Sequence, residues 1–148
     1  MSGNDSKLCF IDTNVWLYAF IQAQDQDKTA IAKTIIQSSE VAVSAQVINE
    51  VCVNLIKKAH LDEASIRNLI ESFYSKYRVA GLSKLSFIKA SELREQYSFS
   101  YWDSLIVSSA LAEEATTMYS EDMHSGLLVE NRLRIINPFI QPNDKSAT

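Results

Sequence analysis

Four acidic residues are spaced 38, 53 and 19 positions apart along the chain and could act together if the fold brought them to one place. They are Asp12, Glu50, Asp103 and Asp122. Two carboxylates about 4 Å apart repel by about 4 kcal/mol at an effective dielectric of about 20, so a pocket that holds several of them needs protons or cations. Oxygen ligands without a paired His or Cys favour Mg²⁺ or Mn²⁺ over zinc. The four acids therefore predict a divalent-cation site, suited to phosphodiester hydrolysis by metal-activated water.

The elements that must position these acids follow from the pattern of apolar residues. Short, wholly apolar runs are typical of strands buried on both faces, and apolar residues at three- and four-residue steps are typical of amphipathic helices. The two patterns alternate, which predicts an α/β domain with a mainly parallel sheet of four to five strands. The predicted strands are 8–11, 41–43, 78–82, 116–120 and 133–136, and the predicted helical stretches are 15–21, 30–36, 46–59, one that begins after Asp62, 85–96 and 102–114.

The four acids fall where this alternation places the carboxyl ends of the strands. Asp12 ends the first strand, Glu50 lies in the first turns of the helix after the second strand, and Asp122 comes just after the fourth strand. Asp103 begins the helix that leads into that fourth strand, so it starts from the same edge. Ligands of open parallel sheets bind at this edge, so we expect one shared site. Each acid alone has another explanation, as a helix cap or a solvated residue.

The segments around these acids resemble the four signatures of PIN-domain ribonucleases. The similar segments are FIDTN at 10–14, SAQVINE at 44–50, YWDSLI at 101–106 and YSED at 119–122. The closing segment RIINPF at 134–139 is similar to the last strand of VapC-type toxins of bacterial toxin–antitoxin pairs. The resemblance covers residues 8–139. It implies a three-layer α/β/α sandwich around a parallel sheet with strand order 3-2-1-4-5.

The same resemblance implies a function and its partners. The expected activity is that of an endoribonuclease that depends on Mg²⁺ or Mn²⁺ and hydrolyses RNA phosphodiester bonds in the acidic pocket. The expected role is the toxin of a type II toxin–antitoxin system. A homodimer and a small partner antitoxin, whose tail blocks the acidic pocket, are also implied.

Roles are carried over to individual residues where the motifs match. The catalytic and metal-binding acids become Asp12, Glu50, Asp103 and Asp122. The polar residues that hold these carboxylates in place become Thr13, Asn14 and Ser120, a supporting role that sets ligand geometry. Glu121 could also claim the fourth acidic position. Asp122 is preferred because it lies two residues after Ser120, as in the family pattern.

Three other functions remain open on the sequence. Asp12 could be the nucleophile of an aspartyl-phosphate phosphatase, although such enzymes usually carry a second acid two residues on, where this chain has Asn14. A receiver domain would need a lysine after the last strand, where Pro138 and Phe139 stand. A PIN-like scaffold that binds RNA or protein without cutting would not need all four acids.

Length and composition limit the class of protein. The 148 residues fit one domain, expected over 8–139, with flexible segments at 1–7 and 140–148. Three glycines and two prolines argue against a turn-rich all-β fold. The longest apolar run, 15–21, is far shorter than the roughly 20 residues that span a bilayer, and the N-terminus lacks signal-peptide features. Two cysteines give no disulfide framework. We therefore expect a cytoplasmic protein with no membrane association.

The chain has a net charge of −4, so it does not show the excess of basic residues that is typical of nucleic-acid-binding proteins. The four acids account for the negative charge, because without them the chain has 14 acidic and 14 basic residues.

His60 and His124 have no second His at ligand spacing, which argues against zinc. The aromatic cluster at 97–102 could offer a ring for base stacking. Core or dimer packing is the preferred interpretation for Trp102.

Overall fold

Strands and helices alternate in the computed structural model, which describes residues 7–21 and 25–140. The segments expected to be flexible, 1–7 and 140–148, lie outside the described residues except for residues 7 and 140. The strands are β1 Leu8–Ile11, β2 Glu40–Ser44, β3 Arg78–Ala80, β4 Thr117–Tyr119, β5 Leu128–Val129 and β6 Leu133–Ile136. The helices are α1 Thr13–Phe20, α2 Gln26–Ser38, α3 Ala45–Ala59, α4 Glu63–Lys76, α5 Lys84–Gln96 and α6 Tyr101–Ala112.

The strands form one sheet in the order β3-β2-β1-β4-β6-β5. All neighbouring pairs are parallel except β5 and β6, which pair antiparallel at one edge. The predicted fold class is confirmed, with a mostly parallel central sheet flanked by helices and the predicted order 3-2-1-4. The predicted fifth strand is β6, and it lies beside β4 as expected. The structure adds β5, whose two residues are too few to give a periodic signal in the sequence.

The core lies around β1, the central strand. All four of its residues are buried, which explains why the run is wholly apolar. Helix α3 buries an apolar stripe at helical spacing, whereas α6 is buried along nearly its whole length from Ser104 to Leu111. Within the described residues, no helix is both long and apolar enough to cross a membrane.

Three helix starts meet the carboxyl ends of the central strands, and each is fixed by a capping side chain. Asp12 caps α1 directly after β1, and Ser44 caps α3 directly after β2. Ser100 caps α6 by accepting a hydrogen bond from the backbone N–H of Asp103. Such caps satisfy backbone donors that the first turn of a helix leaves free. They also fix the position from which each nearby acid projects.

Candidate active site

Asp12 is the most buried of the four acids, with 7% of its surface exposed. Its Oδ1 accepts a hydrogen bond from the backbone N–H of Thr13 at 2.8 Å, and its Oδ2 accepts one from Ser120 Oγ at 2.8 Å. Burial raises the pKa of Asp12 to about 6, repulsion from Asp103 and Glu50 adds to the rise, and the two hydrogen bonds oppose it. The carboxylate is therefore held in place at an electrostatic cost that a bound cation would relieve.

Glu50 and Asp103 approach Asp12 from two different helices. Thr13 Oγ1 donates a hydrogen bond to Glu50 Oε1 at 2.7 Å, which joins the start of α1 to α3. Asp103 lies in the first turn of α6. Burial raises its pKa, and repulsion from Asp122 and Glu50 raises it further, against the lowering effect of a hydrogen bond with Ser100. The charges of the four acids thus act on one another.

Asp122 reaches the same place from the loop after β4. Asn14 Nδ2 donates a hydrogen bond to Asp122 Oδ2. The hydroxyl of Ser120, which is completely buried, donates to Asp12 and accepts from the backbone N–H groups of Asp122 and Met123, both at 3.3 Å. One serine therefore ties the loop to the central carboxylate.

All four acids line one open pocket of about 370 Å³. Thr13, Asn14, Asn54, Trp102 and Ile106 complete its lining, so no Lys or Arg is among the described residues that form it. A set of oxygen donors with uncompensated negative charge fits a hard divalent cation. Within residues 7–21 and 25–140, no three ligating side chains lie close enough to hold an ion directly. A cation in this pocket would therefore need water for part of its coordination, which Mg²⁺ commonly keeps.

A second hollow is larger but lacks this chemistry. Its volume is about 620 Å³, and it lies between α5 and α6, with Leu85, Ile88 and Leu111 in its lining. None of the predicted site residues lines it. The larger hollow has both acidic and basic residues in its lining, whereas the smaller pocket gathers all four predicted acids, so the acidic pocket is the candidate active site.

The model of the PIN-domain family matches residues 9–124, which is more than half of the chain. The chain belongs to the PIN-domain family. This confirms the resemblance seen in the four acidic motifs. No curated protein sequence matches the chain.

Solved structures share the PIN fold at low sequence identity. A toxin–antitoxin complex from Klebsiella pneumoniae matches with a TM-score of 0.67 and 17% identity over 88% of this chain and 98% of that chain. VapBC2 from Rickettsia felis, bound to a DNA fragment from its promoter, matches with a TM-score of 0.61 and 20% identity over 88% of this chain and 99% of that chain. VapC20 from Mycobacterium tuberculosis, a sarcin–ricin loop cleaving toxin, matches with a TM-score of 0.60 and 18% identity over 74% of this chain and 86% of that chain. At these identities the likeness shows the fold.

The structure of this PIN domain brings together every residue that the motifs single out. The four acids, Thr13 and Asn14 line the pocket, and Ser120 lies directly behind Asp12. Asn54 also lines it, although no motif includes it; it lies one helical turn after Glu50 and donates a hydrogen bond to the Glu50 carbonyl at 2.8 Å. Its spacing of four residues was the signal that could have found it.

Glu121 contacts groups outside the pocket of this PIN domain. Its carboxylate accepts hydrogen bonds from Tyr18 Oη at 2.9 Å and from Lys28 Nζ, and the hydrogen bond with Glu121 is the main cause that raises the pKa of Lys28. Asn137 Nδ2 donates to the Glu121 carbonyl at 3.3 Å. We call Tyr18, Lys28 and Glu121 the clamp. Because Asp122 follows Glu121 directly, the clamp holds the loop from which Asp122 enters the pocket.

Proposed function

We propose that this chain is an endoribonuclease that depends on Mg²⁺ or Mn²⁺, and the toxin of a type II toxin–antitoxin pair. The observation that carries the proposal is the convergence of four acids, from four separate parts of the sequence, on one pocket without a basic side chain in its described lining. Membership of the PIN-domain family supports a nuclease. VapC20, a sarcin–ricin loop cleaving toxin of the same fold, supports RNA as the substrate.

In the proposed mechanism, the cation is held directly or through water by Asp12, Glu50, Asp103 and Asp122. A bound Mg²⁺ or Mn²⁺ supplies the activation of a water for in-line attack and the stabilisation of charge on the phosphate. The chain itself orients the carboxylates through hydrogen bonds. Thr13 holds Glu50, Asn14 holds Asp122, and Ser120 holds Asp12. Such supporting contacts set the affinity and geometry of a metal site.

The proposed biological setting is the cytoplasm, with the chain as a homodimer and an antitoxin as its partner. Support comes from the neighbours of the same fold, one a toxin–antitoxin complex and another the VapBC2 complex bound to promoter DNA. The acidic pocket has the charge to receive a basic side chain from an antitoxin tail, which would compete with the cation. Co-purification with a small protein encoded next to this chain tests the partner, and sedimentation of the pure chain tests the dimer.

The proposed activity is tested by cleavage of RNA with purified protein. We expect EDTA to abolish cleavage and an excess of Mg²⁺ or Mn²⁺ to restore it, because the pocket cannot activate water without a cation. Sequencing the 5′ ends of the products identifies the cut sites, and Asp103→Asn protein shows which ends come from a contaminant. Cleavage that persists in EDTA would contradict the proposal. Binding of RNA without cutting would favour the scaffold, and a phosphate on Asp12 would favour the phosphatase or receiver.

The clamp gives a further prediction about metal affinity. Lys28→Met should leave Glu121 without its cationic partner and loosen the loop that carries Asp122. Contacts that orient metal-binding groups change affinity or activity by about 10- to 100-fold, and an indirect contact belongs at the low end. We therefore expect the Mn²⁺ concentration for half-maximal cleavage to rise about 10-fold.

Lys33→Met is the matched control, because it makes the same change in the same helix, α2. Glu121→Gln should reproduce the effect of Lys28→Met, and the double variant should be no worse than either single variant, since both changes break one contact. Equal Mn²⁺ dependence in the Lys28 and Lys33 variants would show that the clamp does not position Asp122.

A further inference from the structure

Two exposed aromatic residues begin α6, and one of them lines the acidic pocket. Trp102 is 62% exposed and Tyr101 is 52% exposed, and both lie in the first turn of α6 directly before Asp103. Trp102 lines the pocket together with the four acids. Core packing, one of the two expectations for Trp102, is therefore wrong. Exposure of a large aromatic ring to water is unfavourable, and an exposed apolar surface often marks a binding site. The position of Trp102 beside the pocket therefore indicates a ligand that covers the ring.

The ring pair is held on a fixed support. The Tyr101 and Trp102 rings pack edge to face, with centroids 5.4 Å apart and planes at 77°. The guanidinium of Arg94 lies 4.4 Å from the centre of the Tyr101 ring and donates a hydrogen bond to the buried Ser104 Oγ at 2.7 Å. Gln46 Nε2, on α3, lies 3.4 Å from the Trp102 carbonyl oxygen. These contacts hold the two rings at the start of α6, and the guanidinium of Arg94 places a positive charge beside them.

We propose that Trp102 stacks on an unpaired base of the RNA, at a nucleotide next to the phosphate that is cut. The inference rests on the proposed function, since the acids mark where that phosphate lies. Every base has an apolar face that stacks on an aromatic ring without sequence preference. Arg94 supplies the positive charge that a neighbouring phosphate needs beside an otherwise acidic pocket. The predicted substrate class is therefore single-stranded or looped RNA, because bases inside a duplex are not free to stack on protein.

A nucleotide suits this surface better than an apolar side chain of another protein. An apolar group that covered Trp102 at the pocket would also lie against the carboxylates that line it, and burying a charged carboxylate without a partner is costly. A nucleotide would cover the ring with its base, and its phosphate would be placed beside the acids and any cation that they would hold. The mixed character of the surface, an aromatic ring directly beside carboxylates, matches the two parts of a nucleotide.

The two tryptophans of the chain allow a direct test. Trp16 is buried in the core, with 1% of its surface exposed, so quenching by an added ligand reports on Trp102. The probe is a single-stranded 12-nucleotide RNA at low salt in Mg²⁺, added to proteins that carry Asp103→Asn so that little cleavage is expected. We expect it to quench the fluorescence, and we expect the same RNA in a duplex to quench far less.

Affinity is then measured with a labelled copy of the same RNA. Trp102→Leu, which keeps apolar bulk but cannot stack, should weaken binding about 5- to 150-fold, whereas Trp102→Tyr should retain most of it. The matched control is Tyr74→Leu, which changes an aromatic residue of similar exposure, 57%, on α4. Under cleavage conditions, the loss in Trp102→Leu should fall mainly on KM.

The other possible results separate the stacking site from the nuclease and from a dimer interface. Equal RNA affinity in wild type and Trp102→Leu removes the stacking role. Equal affinity with a changed sedimentation coefficient shows that Trp102 packs between two copies of the chain. RNA binding that needs Trp102, together with no cleavage in Mg²⁺ or Mn²⁺, supports the stacking site and contradicts the nuclease. Cleavage with unchanged kcat/KM in Trp102→Leu supports the nuclease and contradicts the stacking site.

Discussion

Asp103→Asn is expected to lower the rate of RNA cleavage by more than about 100-fold while the protein stays folded. Loss of a residue that only supports a metal ligand costs about 10- to 100-fold, so loss of a proposed ligand should cost more. Asparagine has the shape of aspartate but lacks its charge, on which the proposed cation would depend. The capping contact at the start of α6 uses the backbone N–H of residue 103, so it survives the substitution.

Asp27→Asn is the matched control for this experiment. Asp27 and Asp103 are both acids in the first turn of a helix, so the two substitutions remove the same kind of favourable contact with the helix dipole. Asp27 is exposed and does not line the pocket. Cleavage should therefore be unchanged in Asp27→Asn. Comparable activity in the two variants would show that the acidic pocket is not where RNA is cut.

Much of the fold follows from the sequence because its signals are local. The buried run at β1 and the apolar stripe of α3 each identify one element without knowledge of the rest. Parallel strands then place their carboxyl ends at one edge, which is why Asp12 and Glu50 could be expected together before any coordinates. The two-residue strand β5 gave no such signal, since it exists only through its pairing with β6.

The features that the sequence did not predict depend on tertiary contacts. Lys28 and Glu121 are 93 residues apart, and neither stands in a pattern that predicts the other. Trp102 precedes a stretch of α6 that is almost wholly buried, so an apolar residue there is typical of a core. Its exposure arises because the first turn of α6 lies at the rim of the pocket. Only the packed structure distinguishes this rim position from the core positions that follow it.

Divalent cations are expected to stabilise this protein strongly. A ligand at about 100 times its Kd adds about 2.7 kcal/mol to the free energy of unfolding when it binds only the folded state. For a domain of this size, each kcal/mol raises Tm by about 2–4 °C, so we expect a rise of about 5–10 °C with Mn²⁺ or Mg²⁺. Differential scanning fluorimetry measures this rise in Tm, with the protein in EDTA as the reference.

Asp12→Asn is expected to make the protein more stable than wild type without cation and less stable than wild type with it. The pKa of Asp12 rises from its ordinary value of 3.8 to about 6 on folding, so at pH 7.5 the folded state holds a charged group that it disfavours. That penalty is about 3 kcal/mol and disappears as the pH falls from about 6 to below 4. Asparagine removes it but loses the acceptor for Ser120, which costs about 1 kcal/mol. Without cation, we expect the variant to be about 1–2 kcal/mol more stable than wild type.

The two effects together separate a metal site from an ordinary buried acid. In EDTA the Asp12→Asn protein should unfold at a higher temperature than wild type, and with saturating Mn²⁺ the order should be the reverse. A buried carboxylate that does not bind the cation would leave the variant more stable than wild type under both conditions, because the cost of its charge does not depend on metal. If Mn²⁺ raises Tm equally in both proteins, Asp12 does not bind the cation. In a cation site formed by mutually repelling carboxylates, the charge of Asp12 should destabilise the protein without metal. The same charge should stabilise the protein when the cation is bound.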